Sequence, residues 1–593
     1  MSIIASISRG HNSSTTLMVD GEIIFYLEEE RISRRKHDGS PFMGLLKVFD
    51  YVDHIDHLVV CHTHRSGMQT DWTGEDAYEG LIRKIARKSF EFETHFIDEI
   101  HHQMHATCAF INSGFQSSAI LVADGAGSFL NSDLTKEETV YEFESIFKAS
   151  YDSSNHLKIK NIYKHLGTAF PIGVRKMDTL DGNTKAEIIL TEYPGITKCY
   201  ESVTRYCGFD TIDAGKTMGL SPYGKPNKDL PRFFIDGWSN REVFVPDYPN
   251  GSLINYSRYD IFKNDIKHME ETGRIDENGM FTGSGYYTQI QKDTAYKIQK
   301  DSEQEMIKLI RKALNKTGEK NLCISGGYGL NCVANYQYWK EFPDINIYCE
   351  PISHDGGTSI GGALHVLNKL KELNSDEVTE RKSIYYGPQY DPQTYTQYFE
   401  EDFLEVTDTS YDDVAKLIRS GEIVTIFQGR SEGGPRALGN RSILFDPTIK
   451  DGKDIVNGVK RREFFRPFAC SMKKEKVHEW FDLQGREGSP HMMYAVECLP
   501  GVEEKIPSVI HVDGTCRIQT LGEDDNVHYY KLIDAFEKLS GVPILFNTSF
   551  NLGGDPLVET IEDAIDTLSN SKINYMYLPE IQKLVFVDRN NNR

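Results

Sequence analysis

The chain has 593 residues, 39% hydrophobic and 26% charged, with 66 Lys and Arg against 88 Asp and Glu for a formal net charge of −22. That length accommodates roughly two to four structural units of about 100–200 residues each, and the charge argues against a general affinity for nucleic acid, because an acidic surface repels the phosphate backbone. No apolar run approaches the roughly 18 residues that span a bilayer, the N-terminus MSIIASISRGHNSS lacks a basic stretch followed by a long apolar one, and the ten cysteines include no C-x-x-C pair. A soluble, intracellular protein is expected, with reduced, packed thiols and neither a disulfide frame nor a cysteine-rich zinc site.

The first elements read as a meander. An apolar run from Ile3 to Ile7 leads through a polar turn, Arg9 to Ser14, to a second run, Thr15 to Val19, and the Asp20-Gly21 turn leads on to Ile23 to Leu27. Asp-Gly between apolar runs is a hairpin signal. His11 lies in the first turn, where an imidazole can take a proton from a hydroxyl or hold a carbonyl oxygen; a turn histidine bonded to backbone is the plainer alternative. Further on, Leu81 to Phe90 (LIRKIARKSF) sets Arg83, Lys84, Arg87 and Lys88 at helical spacing. Such a run is ordinarily a solvated helix face, with a base-binding groove as the sharper reading.

In HHQMHA, His101 and His105 stand four apart, on one face of any helix formed there, where they can chelate a metal or simply pack. A second strand–turn–strand pattern follows: Ala119 to Ala123, then Asp124-Gly125-Ala126-Gly127, then Thr139 to Phe147. Glycines beside a strand-end aspartate let backbone amides approach a phosphate or a metal-bound group. Asp355 in SHDGGTS has the same setting, and two His with two Asp suit iron, manganese or zinc with positions left open. Lys225 to about Gly285 is polar and aromatic without clear periodicity, which reads as an insertion and part of an acceptor-binding surface. From Leu322 to Ser325 an apolar strand runs into Gly326-Gly327-Tyr328-Gly329-Leu330-Asn331 and a helix from Cys332, a phosphate cradle if the glycine turn is more than structural. Lys371 to Ser383 is polar and aperiodic, so the main boundary is placed there.

Past the boundary, Gly429 to Phe468 gathers Arg430, Arg436, Arg441, Lys460, Arg461, Arg462 and Arg466 around glycine turns. Cations so grouped in an acidic chain form a pocket for phosphate-type anions. Arg517 follows a tight turn in HVDGTCR, and the strand Ile544 to Phe546 leads into Asn547-Thr548-Ser549, whose amide and hydroxyl groups can meet a phosphate or an adenine edge.

In order, HNSSTTLMVDGEI, EEERISRRKHD, HHQMHA, ADGAGS, GKTMGLSPYG, SGGYGLNCVAN, HDGGTSIGGA, FQGRSEGGPRALGNRS, REFFRPFA, HVDGTCRIQT and FNTSFNLGGDP cover nearly the whole chain. The sequence resembles the O-carbamoyltransferases of the nodulation-protein and antibiotic-tailoring family. The resemblance implies an α/β protein of two parts: residues 1–375, a duplicated actin/sugar-kinase/Hsp70-like transfer domain carrying the insertion at about 225–285, and residues 383–593, a YrdC-like α/β domain. Carbamoyl phosphate and ATP, with Mg2+, would form carbamoyladenylate in the second part; an acceptor hydroxyl would take the carbamoyl group in the first, releasing AMP.

By the same resemblance, Lys460, Arg466, Arg436, Arg441, Arg517, Asn547 and Ser549 would hold carbamoyl phosphate and ATP, with Lys460 and Arg466 catalytic. Lys216, Gly326, Gly327 and Asn331 would contact the nucleotide in the first part. His101, His105, Asp124 and Asp355 would bind a divalent metal, Fe2+ ahead of Mn2+ or Zn2+, and His11 would assist deprotonation of the acceptor. The partners implied are carbamoyl phosphate and a hydroxylated acceptor, which includes a hydroxymethylated pyrimidine in nucleotide or DNA, so nucleic acid enters only as acceptor; no membrane is involved, a homodimer is compatible, and the location is cytoplasmic, in the host if the chain is viral. The first turn reads His11-Asn12 where many relatives have His-Asp, and Ser431 and Gly433 stand where bulkier residues are common, which leaves the acceptor open. A tRNA threonylcarbamoyl transferase is disfavoured by the acidic total and the domain order, and a non-catalytic actin-type ATP module by the metal set and arginine pocket.

Overall fold

The computed structural model describes residues 2–63, 76–131, 139–179, 185–247, 251–275, 285–370, 383–399 and 403–589. It opens with the expected meander. Strands β1 (Ile3–Ser8), β2 (Ser14–Val19) and β3 (Glu22–Glu28) pair antiparallel, while β4 (His57–Cys61) and β5 (Glu93–Ile97) add in parallel beyond β1, giving the order β3-β2-β1-β4-β5. Asp20 and Gly21 turn β2 into β3 with φ of 50° and 88°, the left-handed pair a tight hairpin requires. All six residues of β1 are buried, as befits a central strand covered on both faces.

The next sheet repeats the plan. Here β6 (Ser117–Ala123), β8 (Thr139–Tyr151) and β9 (Leu157–Gly167) make the meander, β7 (Phe129–Asn131) flanks β8, and β10 (Val174–Met177) and β11 (Glu187–Thr191) extend the sheet past β9. The predicted insertion follows. It holds two ribbons, β12 (Phe234–Ile235) with β13 (Trp238–Ser239) and β14 (Phe244–Asp247) with β15 (Gly251–Ile254), and a helix, Asp260–Glu271, that the reading of an aperiodic stretch missed. That helix buries Phe262, Asp265 and Met269, and an aspartate in the middle of the inner face hides the helical period. Residues 248–250 and 276–284 of the insertion lie outside the described residues.

Two parallel strands, β16 (Asn321–Ser325) and β17 (Asn346–Cys349), then complete the order β9-β8-β6-β16-β17. Strand for strand and direction for direction it matches the first sheet. Helices His101–Ser113 and Gly357–Lys369 pack on each other in a core that draws Ile4 and Val59 from one sheet and Ile120 and Val122 from the other.

The predicted linker, Ser383 excepted, falls outside the described residues, and with it the expected boundary. Beyond it β18 (Leu404–Asp408), β19 (Val424–Phe427), β20 (Arg441–Phe445), β21 (Ala469–Lys473), β22 (Phe481–Asp482), β23 (Ala495–Cys498), β24 (Thr515–Leu521), β25 (Ile544–Ser549), β26 (Tyr575–Leu578) and β27 (Lys583–Val587) form one mixed sheet, ordered β18-β27-β26-β19-β20-β25-β21-β24-β23-β22. The architecture is mixed α/β throughout. The Gly429–Arg441 loop leans on the end of the first meander, where Arg31, in the short helix Glu29–Ser33 after β3, donates to the carbonyls of Glu432 and Gly434. All ten cysteines are free thiols, buried except for Cys498, and no helix among the described residues is long and apolar enough to cross a membrane.

Candidate functional site

The helix after β5 carries His101 and His105 one turn apart, with their Nε2 atoms 3.1 Å from each other. Asp124 ends the strand β6, and Asp355 precedes the helix Gly357–Lys369. The Asp124 carboxylate lies 3.6 and 3.8 Å from the two imidazoles, and that of Asp355 3.6 and 3.7 Å. Four residues from three separate segments thus converge, with the histidine side chains only 3% and 1% exposed.

Two local features hold them. The His101 amide donates to Ser128 Oγ at 2.9 Å, fixing the start of the helix, and the Gly327 amide donates to Asp124 Oδ1 at 3.0 Å. Gly326 makes that second contact affordable: its φ is +84°, and a Cβ there would lie 2.4 Å from the Ala123 carbonyl oxygen. Burial opposes charge on His101, yet the Asp124 and Asp355 carboxylates raise it to about 10; burial likewise opposes charge on both aspartates, and their imidazole neighbours, with His11 foremost at Asp355, hold them well below the usual carboxylate range. Nitrogen and oxygen donors this close, in so dry a place, fit a divalent cation.

His11 stands at the open side, half exposed, its Nδ1 3.9 Å from Asp355 Oδ2 and 3.2 Å from Asn12 Oδ1. Asp355 is the main reason its pKa is raised. Sequence reading overlooked a pair next to it, Lys198 and Glu201, on the helix Ile196–Tyr206 and 3.0 Å apart. A Cβ on Gly125 would sit 2.5 Å from Glu201 Oε1, so this carboxylate lies on the Asp124-Gly125 turn. The β14–β15 ribbon closes over the pair, with Ser252 Oγ donating to the Lys198 carbonyl at 2.6 Å. No motif marks them, since Lys and Glu three apart on a helix are common on any surface.

A second cluster lies in the C-terminal part. Lys460, 2% exposed, donates to the Ser549 carbonyl at 2.5 Å, Ser549 Oγ at 3.2 Å and Asn551 Oδ1 at 2.9 Å, all neutral. Arg462 stacks 4.0 Å from the Phe468 ring centre, and Arg466 has one carboxylate, Glu463, at 3.8 Å. The Arg517 guanidinium has no hydrogen bond or ion pair among the described residues, and its Nε is buried without a partner. Arg436, its Nε also buried and unpartnered, donates to the Leu330 carbonyl at 3.1 Å.

Burial is the first reason the charged forms of Lys460, Arg462, Arg466 and Arg436 are disfavoured, and the repulsion among neighbouring cations adds to it: Arg462 and Arg466 on Lys460, Arg466 and Arg517 on Arg462, Arg517 on Arg466 and Arg436. Two like charges about 8 Å apart at an effective dielectric near 20 repel by about 2 kcal/mol. An anion removes that cost. Through Leu330, Arg436 also ties this cluster to the glycine turn that holds Asp124.

Three residues expected here or at the nucleotide are otherwise engaged. Arg441, fully buried, spends all five N–H groups on the backbone carbonyls of Gln428, Gly429, Asn440 and Glu559 and lies 3.8 Å from the Phe427 ring centre, so it braces the loop and cannot hold phosphate. Asn331 caps the helix Cys332–Glu341 through the Ala334 amide and pairs with Gln299, leaving its amide group no freedom to contact a nucleotide. Lys216 bridges Asp213 at 2.9 Å and Glu463 at 3.1 Å, which puts it at the rim of the cation cluster.

Of the remaining candidates, Ser549 touches Lys460, while Asn547 is buried and donates to Ser471 Oγ and the Ala437 carbonyl. Arg430 likewise serves the scaffold, donating to the carbonyls of Gly387, Ile24 and Tyr386. Arg83 pairs with Glu79 at 2.6 Å, and Lys84, Arg87 and Lys88 are exposed, a solvated face.

Residues 69–364 match the family model of the carbamoyltransferase N-terminus and residues 415–583 that of the carbamoyltransferase C-terminus. The chain is 30% identical to the nodulation protein NolNO of Sinorhizobium fredii, over 95% of this chain and 77% of that one, and 30% identical to the nodulation protein NolO of Bradyrhizobium diazoefficiens, over 80% and 76%. Among solved structures, full-length HypF in its phosphate- and nucleotide-bound form is a slight likeness, with a TM-score of 0.34 and 10% identity over 63% of this chain and 56% of that one. With both halves of one family model set matched in order and relatives aligned along most of its length, the chain belongs to the carbamoyltransferase family and is a transferase.

Proposed function

We propose that the chain is an ATP-dependent O-carbamoyltransferase that activates carbamoyl phosphate in its C-terminal part, residues 383–593, and delivers the carbamoyl group to a hydroxyl in its N-terminal part, residues 1–375. The observation that carries this reading is the cluster of Arg436, Lys460, Arg462, Arg466 and Arg517, whose repulsion has little internal counter-charge. Two polyanionic reactants supply it. The repeated strand order supports an actin/sugar-kinase/Hsp70-like duplication in the first part, and the mixed ten-stranded sheet is read as the YrdC-like partner.

In the C-terminal part, water displaces phosphate from carbamoyl phosphate. The carbamate oxygen then attacks the α-phosphorus of ATP, whose bond to pyrophosphate breaks. Carbamoyladenylate, phosphate and pyrophosphate result, with Mg2+ accompanying ATP. Lys460, Arg466 and Arg517 hold the reactants together while negative charge moves to the departing groups. Arg436, which reaches both regions, stands on the route of the adenylate to the glycine turn at Gly326 and Gly327.

In the N-terminal part the acceptor oxygen attacks the carbamoyl carbon, its proton passes to His11, and AMP leaves with the electrons of the broken C–O bond. A divalent metal, iron ahead of manganese or zinc, fits His101, His105, Asp124 and Asp355 and, when bound, supplies positive charge beside the phosphate and carbonyl oxygens. Lys198, Glu201 and the β14–β15 ribbon form the wall against which the acceptor rests. The acceptor is an alcohol on a sugar, a macrolide or another small molecule, or a hydroxymethylated pyrimidine.

The test is incubation with ATP, labelled carbamoyl phosphate and a panel of hydroxylated acceptors, read by mass spectrometry. AMP, pyrophosphate and phosphate in equal amounts are expected, with one acceptor heavier by a single carbamoyl group. ADP as the nucleotide product, or transfer without ATP, would defeat the proposal.

A further inference from the structure

At the edge of the first sheet, the register sets His57 of β4 opposite Glu93 of β5, and Val59 opposite His95. Side chains alternate along strands, so His57, Glu93 and His95 share one face, the face whose continuation, Val59, Cys61 and Ile97, packs in the core with the helix Gly357–Lys369. His57 Nδ1 lies 3.1 Å from His95 Nε2, and Glu93 Oε2 lies 3.8 Å and 3.9 Å from these two nitrogens. The nitrogen spacing equals that of His101 and His105, 3.1 Å. Two imidazole nitrogens each about 2.0–2.1 Å from a tetrahedral zinc ion stand about 3.3 Å apart.

The imidazoles are mostly buried, 15% and 18% exposed, whereas Glu93 is 66% exposed and free to close the remaining gap. His365, on the covering helix, is within electrostatic reach of His95 and keeps its Nε2 buried without a partner among the described residues. An N–H···N hydrogen bond between His57 and His95 accounts for 3.1 Å equally well but assigns nothing to Glu93, whose oxygen sits almost equidistant from both rings.

We propose that His57, Glu93 and His95 form a second divalent-metal site, separate from His101, His105, Asp124 and Asp355, which takes a borderline ion of the Zn2+ class and clips β5 to β4. Two imidazoles, a carboxylate and one open position are a common zinc environment. The strand so fixed leads directly into the helix that bears His101.

The experiment uses the full chain, stripped with chelator and titrated with Zn2+ alone, with bound metal counted by calorimetry and elemental analysis. Two ions are expected for the unaltered protein, one for His57→Gln/His95→Gln and one for His101→Gln/His105→Gln, so the fate of the two sites is read separately. Glu93→Gln, an exposed change that leaves packing alone, is expected to weaken one of the two Zn2+ affinities at least 10-fold. Unchanged stoichiometry and affinity in both His57→Gln/His95→Gln and Glu93→Gln overturns the proposal, as does Zn2+ binding that is lost entirely in His101→Gln/His105→Gln.

Discussion

Around His101, two imidazoles face two carboxylates within 4 Å, whereas around Arg517 the five cations Arg436, Lys460, Arg462, Arg466 and Arg517 have a single ion pair among the described residues, Arg466 with Glu463, a carboxylate that Lys216 also holds. The first arrangement pairs donors of both kinds, with His11 at its open side, and on the proposed reading a small cation completes it. In the second, charge is in excess and donors remain unused, and on the proposed reading a large anion completes it. The two clusters thus differ in charge balance, and Arg436, bonded to Leu330, connects them.

The contrast extends to single arginines in one pocket region. The Arg517 guanidinium makes no hydrogen bond among the described residues, while that of Arg441 makes five to carbonyls. Arg517→Ala is expected to cut carbamoyladenylate formation by about 100- to 1,000-fold, the scale of a lost charge-stabilising donor, with a melting temperature nearly unchanged. Arg441→Ala leaves buried carbonyls without donors and is expected to cost about 3–5 kcal/mol of stability. Calorimetry and an adenylate assay on both variants check the assignment; the opposite pattern would exchange their roles. A smaller effect separates scaffold from site at Asn331. Loss of its helix cap is expected to cost about 1 kcal/mol in Asn331→Ala, with transfer from supplied carbamoyladenylate unchanged, and slowed transfer would return Asn331 to the nucleotide site.

Much of this was legible beforehand, and the reasons for the rest are specific. Asp20-Gly21 and the alternating runs around it announce the meander because local turn chemistry determines it. His101 and His105 announce a face because a helix has a fixed period. Their meeting with Asp124 and Asp355 was read from strand-end glycines and family resemblance and then appears in the geometry.

The arginines are a different case. Gly429 to Phe468 presents a row of cations, and nothing local separates Arg441, which threads into carbonyls from the 428–440 loop and Glu559, from Arg466, which is left with few partners. Which arginine braces and which binds depends on contacts made across more than 100 residues. Lys198 and Glu201 stayed hidden for the same reason: their nearness to Asp124 exists only after the second sheet and the insertion ribbon have packed.

The division of labour between the two clusters is tested most directly by carbamoyl-phosphate-dependent exchange of label between pyrophosphate and ATP, measured beside transfer to the acceptor in Lys460→Ala and His101→Gln. Lys460→Ala is expected to lose both exchange and transfer, and His101→Gln to retain exchange while losing transfer. Exchange that survives in Lys460→Ala, or that disappears in a folded His101→Gln, would contradict the assignment of activation to the cationic cluster and transfer to the histidine–aspartate one.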